Sequence, residues 1–229
     1  MVRTSLRTKF NFNNEFGVYK GEHFFSQEHS SKNLILVHGY HGHRNMYNWL
    51  IKPLIEARYT VTTFTVPHSY RSMNEPYRVW TLGIITCIDV LKIKEVTLIG
   101  HSIGGYAALI DSYDKRITKI IALAPPIKPD LPQPPLEYSI PIQIQCGTKD
   151  NLYSANREFY NKITVSDVKK FVTIEKGDHI QFFDRRFAIM IRFIINLGIH
   201  LPYIGDRTNL AEISIQEQHN QSLKEVINW

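Results

Sequence analysis

Ser102 stands in the run Gly100-His101-Ser102-Ile103-Gly104, between the apolar segment Val96-Thr97-Leu98-Ile99 and the small-residue stretch Gly105-Tyr106-Ala107-Ala108-Leu109. The pattern is that of a strand turning sharply into a helix with a serine at the corner. So tight a turn leaves room only for small residues two before and two after the serine, and both are glycine here. The hydroxyl is then displayed at the C-terminal end of the strand, with the helix N-terminus beneath it. There the helix dipole favours developing negative charge, and the backbone N–H of Ile103 is available to an oxyanion. A serine hydroxyl is a poor nucleophile until an imidazole takes its proton, and that imidazole needs a carboxylate to fix its tautomer. A histidine and an acid must therefore be brought to the corner by other parts of the chain.

In this motif and its strand-to-helix setting the sequence resembles the alpha/beta-hydrolase superfamily, in the form of a compact serine hydrolase or esterase without a cap domain. The resemblance implies a His-Gly turn after an earlier strand, and Leu34-Ile35-Leu36-Val37-His38-Gly39-Tyr40 supplies one. Carried over, the backbone N–H of Tyr40 joins that of Ile103 as the oxyanion donors. The resemblance also implies the chain order serine, acid, histidine, with acid and histidine each following a late strand. Asp150 ends Gly147-Thr148-Lys149-Asp150 after the run Ile140 to Cys146, and His179 ends Glu175-Lys176-Gly177-Asp178-His179 after Lys170 to Ile174. The implied triad is Ser102, His179 as general base and Asp150 as the acid that orients it. Asp178 is the reserve acid, although its side chain should point away from the base. His41 and His43 face either the cleft or solvent. A histidine suits the base role because its ordinary pKa, about 6.5, leaves it neutral yet basic near neutral pH. This chemistry needs no metal or organic cofactor.

The elements that must carry these residues can be read from periodicity. Short apolar, β-branched runs alternate with segments of helical spacing, the pattern of βαβ units. Strands are expected at Asn33 to Val37, Tyr59 to Phe64, Glu95 to Ile99, Lys119 to Leu123, Ile140 to Cys146 and Lys170 to Ile174. Several are apolar throughout, as in strands buried on both faces. Helices are expected at Met46 to Ala57, Pro76 to Leu91, Ile103 to Asp111, Ala155 to Thr164 and Arg185 to Leu197. The fold class is α/β, with a mostly parallel central sheet and helices on both faces. The shared core covers about residues 33–197 of a single expected domain. The N-terminal extension 1–32 has alternating segments, Phe10 to Phe16 and Gly17 to Phe25, that suit an antiparallel pair at the sheet edge. Where many family members insert a helical cap, between Leu123 and Ile140, Pro125, Pro126, Pro129, Pro132, Pro134 and Pro135 exclude helix and leave only a loop. The tail 200–229 is polar, with a short helix at Gln221 to Ile227 and no recognisable chemistry.

Composition narrows the alternatives. With 229 residues, 43% hydrophobic and 21% charged, the chain can bury a large core. No stretch approaches the ~18 consecutive apolar residues of a spanning helix, since Arg192 interrupts the longest candidate. The formal net charge of +6 is scattered over Lys92 and Lys94, Lys115 and Arg116, Lys169 and Lys170, Arg185 and Arg186, without the dense stripe of a nucleic-acid groove. Cys87 and Cys146 lie far apart in apolar runs and suggest neither disulfide nor metal cluster. The basic, acid-free start around Arg3, Arg7 and Lys9 is shared with mitochondrial presequences, but a polar extension of a cytoplasmic protein is the simpler expectation. The expected substrate is a small-molecule carboxylic ester. Thioesters and amides use the same groups, lyases and cofactor-free peroxidases share the scaffold, and a non-catalytic binding protein would more often show a broken triad.

Overall fold

The computed structural model describes residues 6–25, 32–68, 75–165, 168–197 and 210–229. Its strands are β1 Leu6–Asn14, β2 Gly17–Phe25, β3 Lys32–Val37, β4 Tyr59–Thr65, β5 Val96–His101, β6 Ile117–Leu123, β7 Glu137–Tyr138, β8 Ile142–Gly147, β9 Thr164–Val165 and β10 Lys169–Ile174. The helices are α1 Asn48–Glu56, α2 Tyr77–Val90, α3 Ile103–Ile110, α4 Tyr153–Lys162, α5 Arg185–Asn196 and α6 Ile215–Ile227. Eight strands form one sheet in the order β1-β2-β4-β3-β5-β6-β8-β10. From β4 to β10 every pairing is parallel, while β1 with β2 and β2 with β4 are antiparallel. The mostly parallel sheet expected from the alternation of runs is therefore present.

Strand side chains alternate between the two faces, and the apolar runs feed two separate cores. Ile35, Val37, Leu98, Ile120 and Ala122 pack with Trp80 and Ile84 of α2 and with Ala107 and Leu109 of α3. Leu34, Leu36, Ile99, Ile121 and Leu123 pack with Leu50 and Leu54 of α1, Ile195 of α5 and Val226 of α6. Helices thus cover both faces. The parallel register pairs Val37 with Gly100, His101 with Leu123, and Gly147 with Ile174. The loops after β3, β5, β8 and β10 therefore leave the sheet along one edge, the carboxyl edge, where ligands bind in open α/β sheets.

At the N-terminal end the expected antiparallel edge pair is present, with β2 at its expected bounds and the first strand at Leu6–Asn14 in place of the expected Phe10 to Phe16. The N-terminal pair is a long hairpin built into the main sheet. Phe12 and Tyr19 are buried and stacked at 4.8 Å, and the Tyr19 hydroxyl donates to the Val79 carbonyl at 2.7 Å. Glu22 is buried on β2, and its ion pairs with Arg7 and Arg44 outweigh the desolvation that would otherwise raise it, holding the carboxyl below its ordinary pKa. The tail differs more. Its helix starts at Ile215, six residues before the expected Gln221, because Ser214 caps the Glu217 N–H and three buried polar groups, Gln218, His219 and Ser222, face the protein. A polar sequence that finds buried polar partners does not show the apolar stripe on which periodicity depends. Residues 124–136 are turn and coil, as the prolines require, and the following Glu137–Tyr138 pairs with Thr164–Val165. No helix among the described residues is long and apolar enough to cross a membrane.

Candidate active site

Ser102 takes φ 52° and ψ −126°, a positive-φ conformation that costs a non-glycine residue on the order of 1–3 kcal/mol. The crowding around it shows why its neighbours are glycine. A Cβ on Gly100 would lie 2.2 Å from the Gly104 carbonyl oxygen, and one on Gly104 would lie 2.6 Å from the carbonyl oxygens of both Val37 and His38. The Ser102 N–H donates to the Leu123 carbonyl at 2.8 Å, which anchors the turn to β6. Ile103 is the first residue of α3, where a backbone N–H has no intrahelical acceptor.

Two loops that are zipped together carry the histidine and the acid. The Lys149 N–H donates to the Gly177 carbonyl at 2.9 Å, the Thr148 N–H to the Ile174 carbonyl at 3.0 Å, and the Lys176 N–H to the Thr148 hydroxyl at 2.8 Å. Gly147 permits the approach, since a Cβ there would meet the Gly177 oxygen at 2.2 Å. Across this seam His179 Nδ1 lies 2.9 Å from Asp150 Oδ2, and both residues are buried. A carboxylate only accepts, so the Nδ1–H donates and the neutral ring keeps Nε2 as its basic nitrogen. Asp150 Oδ1 accepts from the Leu152 N–H at 2.9 Å, so both carboxylate oxygens are held. The ring of His101, next to Ser102 in the chain, lies 4.8 Å from the His179 ring, which sets the base loop against the serine turn. Asp178 faces elsewhere: its carboxylate accepts from the Gln181 N–H at 2.8 Å and the Ala211 N–H at 2.7 Å. Burial raises its pKa, and it makes no bond to His179.

The loop after β3 is held by buried polar groups that sequence reasoning left unassigned. His38 Nδ1–H donates to the Gly39 carbonyl at 2.7 Å, Nε2 accepts from the Val66 N–H at 3.1 Å, and the Gly42 N–H also reaches the Gly39 carbonyl, at 3.0 Å. The Gly39 carbonyl and the Tyr40 N–H belong to one planar peptide, so fixing the first aims the second. Trp80 Nε1 donates to the His38 carbonyl at 2.8 Å. The Tyr47 hydroxyl accepts from the Gly39 N–H at 3.2 Å and lies 2.9 Å from His101 Nδ1, linking this loop to the serine turn. His43 caps the 3-10 turn Arg44–Tyr47 by accepting from the Asn45 N–H, and His41 sits at φ 55° in the turn that Gly42 closes. His101 was visible inside the motif. Tyr47 and Trp80 carry no local signal, because in sequence they are aromatic residues of amphipathic segments.

The buried imidazoles make stability depend on pH. Desolvation pushes His38 down to about 4, and desolvation with neighbouring His179 holds His101 well below the ordinary value, so both are neutral when folded. In the unfolded chain they take up protons near pH 6.5, so below that pH the unfolded state binds more protons and the folded state loses ground. The loss runs from about pH 6.5 toward 4 and amounts to on the order of 3 kcal/mol from His38 alone. The raised carboxyls of Asp111 and Asp178 oppose it at the acid end, while His219, also lowered by burial, adds to it. The melting temperature should therefore fall steadily between pH 6.5 and 4.5. A flat melting profile over that window would contradict the neutral burial of these two rings.

No group of three or more His, Cys, Asp or Glu among the described residues could hold a metal ion. No family model matches the sequence, and no curated protein matches it. Solved structures do. An esterase from Pyrococcus furiosus superimposes with a TM-score of 0.65 at 20% identity, over 88% of this chain and 94% of that one. Dienelactone hydrolase from Anabaena variabilis gives 0.64 at 15%, over 82% and 93%, and Est1E from Butyrivibrio proteoclasticus gives 0.63 at 15%, over 83% and 97%. The likeness establishes the architecture: this chain has the alpha/beta-hydrolase fold.

Proposed function

We propose, on the premise of an alpha/beta-hydrolase fold, that the protein is a serine hydrolase that cleaves a carboxylic ester through an acyl-enzyme on Ser102. The observation that carries this reading is the buried contact of His179 with Asp150 at 2.9 Å, on the same sheet edge as a serine held in a strained turn. In the proposed reaction His179 Nε2 takes the Ser102 proton as Oγ attacks the ester carbonyl carbon. The N–H groups of Tyr40 and Ile103 receive the tetrahedral oxyanion, and loss of one such donor costs on the order of 3 kcal/mol of transition-state stabilisation. Collapse breaks the ester C–O bond, and the departing alcohol takes the proton from His179. Water, deprotonated by the same ring, then attacks the acyl-enzyme and releases the acid, returning the proton to Ser102. Asp150 keeps Nδ1 protonated throughout and stabilises the imidazolium that forms.

The loop over residues 124–136 supports a short acyl substrate. It is pressed down rather than raised into a cap: Ile127 is buried, Leu131 packs against the core, and the Tyr106 hydroxyl donates to the Pro132 carbonyl. Each methylene buried in a deep tunnel adds roughly 0.8 kcal/mol, so a covered site gains with every added acyl carbon while a shallow one saturates early. Among nitrophenyl esters of increasing acyl length, kcat/KM should peak at a few carbons and then decline. A monotonic rise to long chains would contradict the shallow site that this loop leaves.

A further inference from the structure

His179 lies on a loop between β10 and the 3-10 turn Ile180–Phe182, so neither a strand nor a long helix holds its backbone. The segment from 210 to 229 supplies the support. Both backbone polar groups of Asp178 are taken by one side chain: Gln218 Oε1 accepts the Asp178 N–H at 3.0 Å, and Gln218 Nε2 donates to the Asp178 carbonyl at 2.8 Å. Gln218 and Asp178 are both fully buried, and the approach depends on Gly177, whose Cβ would stand 2.7 Å from Gln218 Oε1. The Asp178 carboxylate ties the same point to the Ala211 N–H, and His219 Nε2 donates to the Phe183 carbonyl at 3.0 Å farther along the loop. The Asp178 carbonyl and the His179 N–H share one rigid peptide. Clamping that carbonyl sets the plane from which the His179 side chain departs toward Asp150.

We infer that Gln218 is a positioning residue for His179, so that α6 serves to aim the base in addition to covering the sheet. The inference rests on the proposed serine-hydrolase reading. The glutamine amide pairs with the N–H and C=O of one residue as a neighbouring strand would, giving the loop a partner the sheet does not provide. Its loss frees the 178–179 peptide to rotate, and misplacement of a catalytic group by about 1 Å can cost on the order of 100-fold in rate.

The test compares Gln218→Met, which keeps the bulk and removes both bonds, with Ser222→Ala, which removes a buried bond of the same helix to Gln145 at 2.6 Å, away from the base loop. Labelling of Ser102 by a fluorophosphonate probe is resolved into its maximal rate and half-saturating concentration. The low-field proton resonance of the His179 Nδ1–H is recorded alongside. Gln218→Met should lower the maximal rate by about 10- to 100-fold with the half-saturating concentration unchanged, and should weaken the resonance; Ser222→Ala should leave both in place. Should Gln218→Met not fold, Gln218→Glu, which keeps an acceptor for the Asp178 N–H but loses the donor to the Asp178 carbonyl, should show the same split. Wild-type behaviour of the glutamine variants, or equal slowing by Ser222→Ala at a matched loss of melting temperature, would overturn the positioning role. Failure of the wild type to label at Ser102 would instead overturn the hydrolase reading, and the resonance would still report whether Gln218 holds His179 against Asp150.

Discussion

Ser102→Ala should lower the turnover of a short-chain nitrophenyl ester by on the order of 10⁴-fold or more, with the fold intact. The hydroxyl makes no bond on which the turn depends. The Ser102 backbone N–H, which an alanine keeps, holds the corner to the Leu123 carbonyl. The strain at φ 52° adds a second readout. Alanine keeps the Cβ and the strain, so Ser102→Ala should melt close to the wild type. Ser102→Gly removes the Cβ and should be more stable by roughly 1 kcal/mol while equally inert. Activity and stability would then move in opposite directions at one position, as expected where strain serves to present a nucleophile. Retention of more than a few per cent of the wild-type rate by Ser102→Ala would rule the serine out.

His179→Ala should cause a collapse of similar size, because members of a triad act as a unit and their losses do not add. The double variant Ser102→Ala with His179→Ala should be no slower than the worse single variant. Asp150→Asn should leave more residual activity than either, since it disturbs the tautomer and orientation of the ring without removing nucleophile or base. Their bonding partners separate the two neighbouring acids. Asp150 reaches His179 Nδ1, whereas Asp178 spends both oxygens on backbone N–H groups of Gln181 and Ala211. If Asp150→Asn were silent and Asp178→Asn abolished turnover while keeping the melting temperature, the acid would be misassigned.

The parts of this protein that sequence reveals are those in which one residue type has one physical explanation. Gly100 and Gly104 flank the serine because a Cβ at either would strike backbone, and apolar runs such as Leu34 to Val37 become central strands because both faces are buried. Those signals are local. Asp150 and His179 were legible only through a resemblance, since an acid or a histidine after a strand has many uses. What sequence hid is held by side chains whose partners are distant in the chain: Tyr47 bridges Gly39 and His101, His38 aims a peptide through Gly39, and Gln218 grips Asp178. The tail looked unremarkable because much of its buried face is polar. Gln218, His219 and Ser222 stand between Ile215 and the apolar Leu223 and Val226, and so break the apolar periodicity of α6. The hairpin of β1 and β2 was readable as alternation, but not its depth in the core, which depends on Tyr19 reaching Val79 of α2.

Treatment of the purified protein with a fluorophosphonate probe, followed by digestion and mass mapping of the adduct, examines nucleophile and activation together. An unactivated serine does not react at a useful rate, and an activated one reacts at its hydroxyl oxygen. The expected result is one stoichiometric adduct on the peptide containing Gly100 to Gly104, located at Ser102, and absent from both Ser102→Ala and His179→Ala. An unlabelled protein that is folded by its melting transition, or an adduct on any other residue, would contradict the assignment of Ser102 as an activated nucleophile.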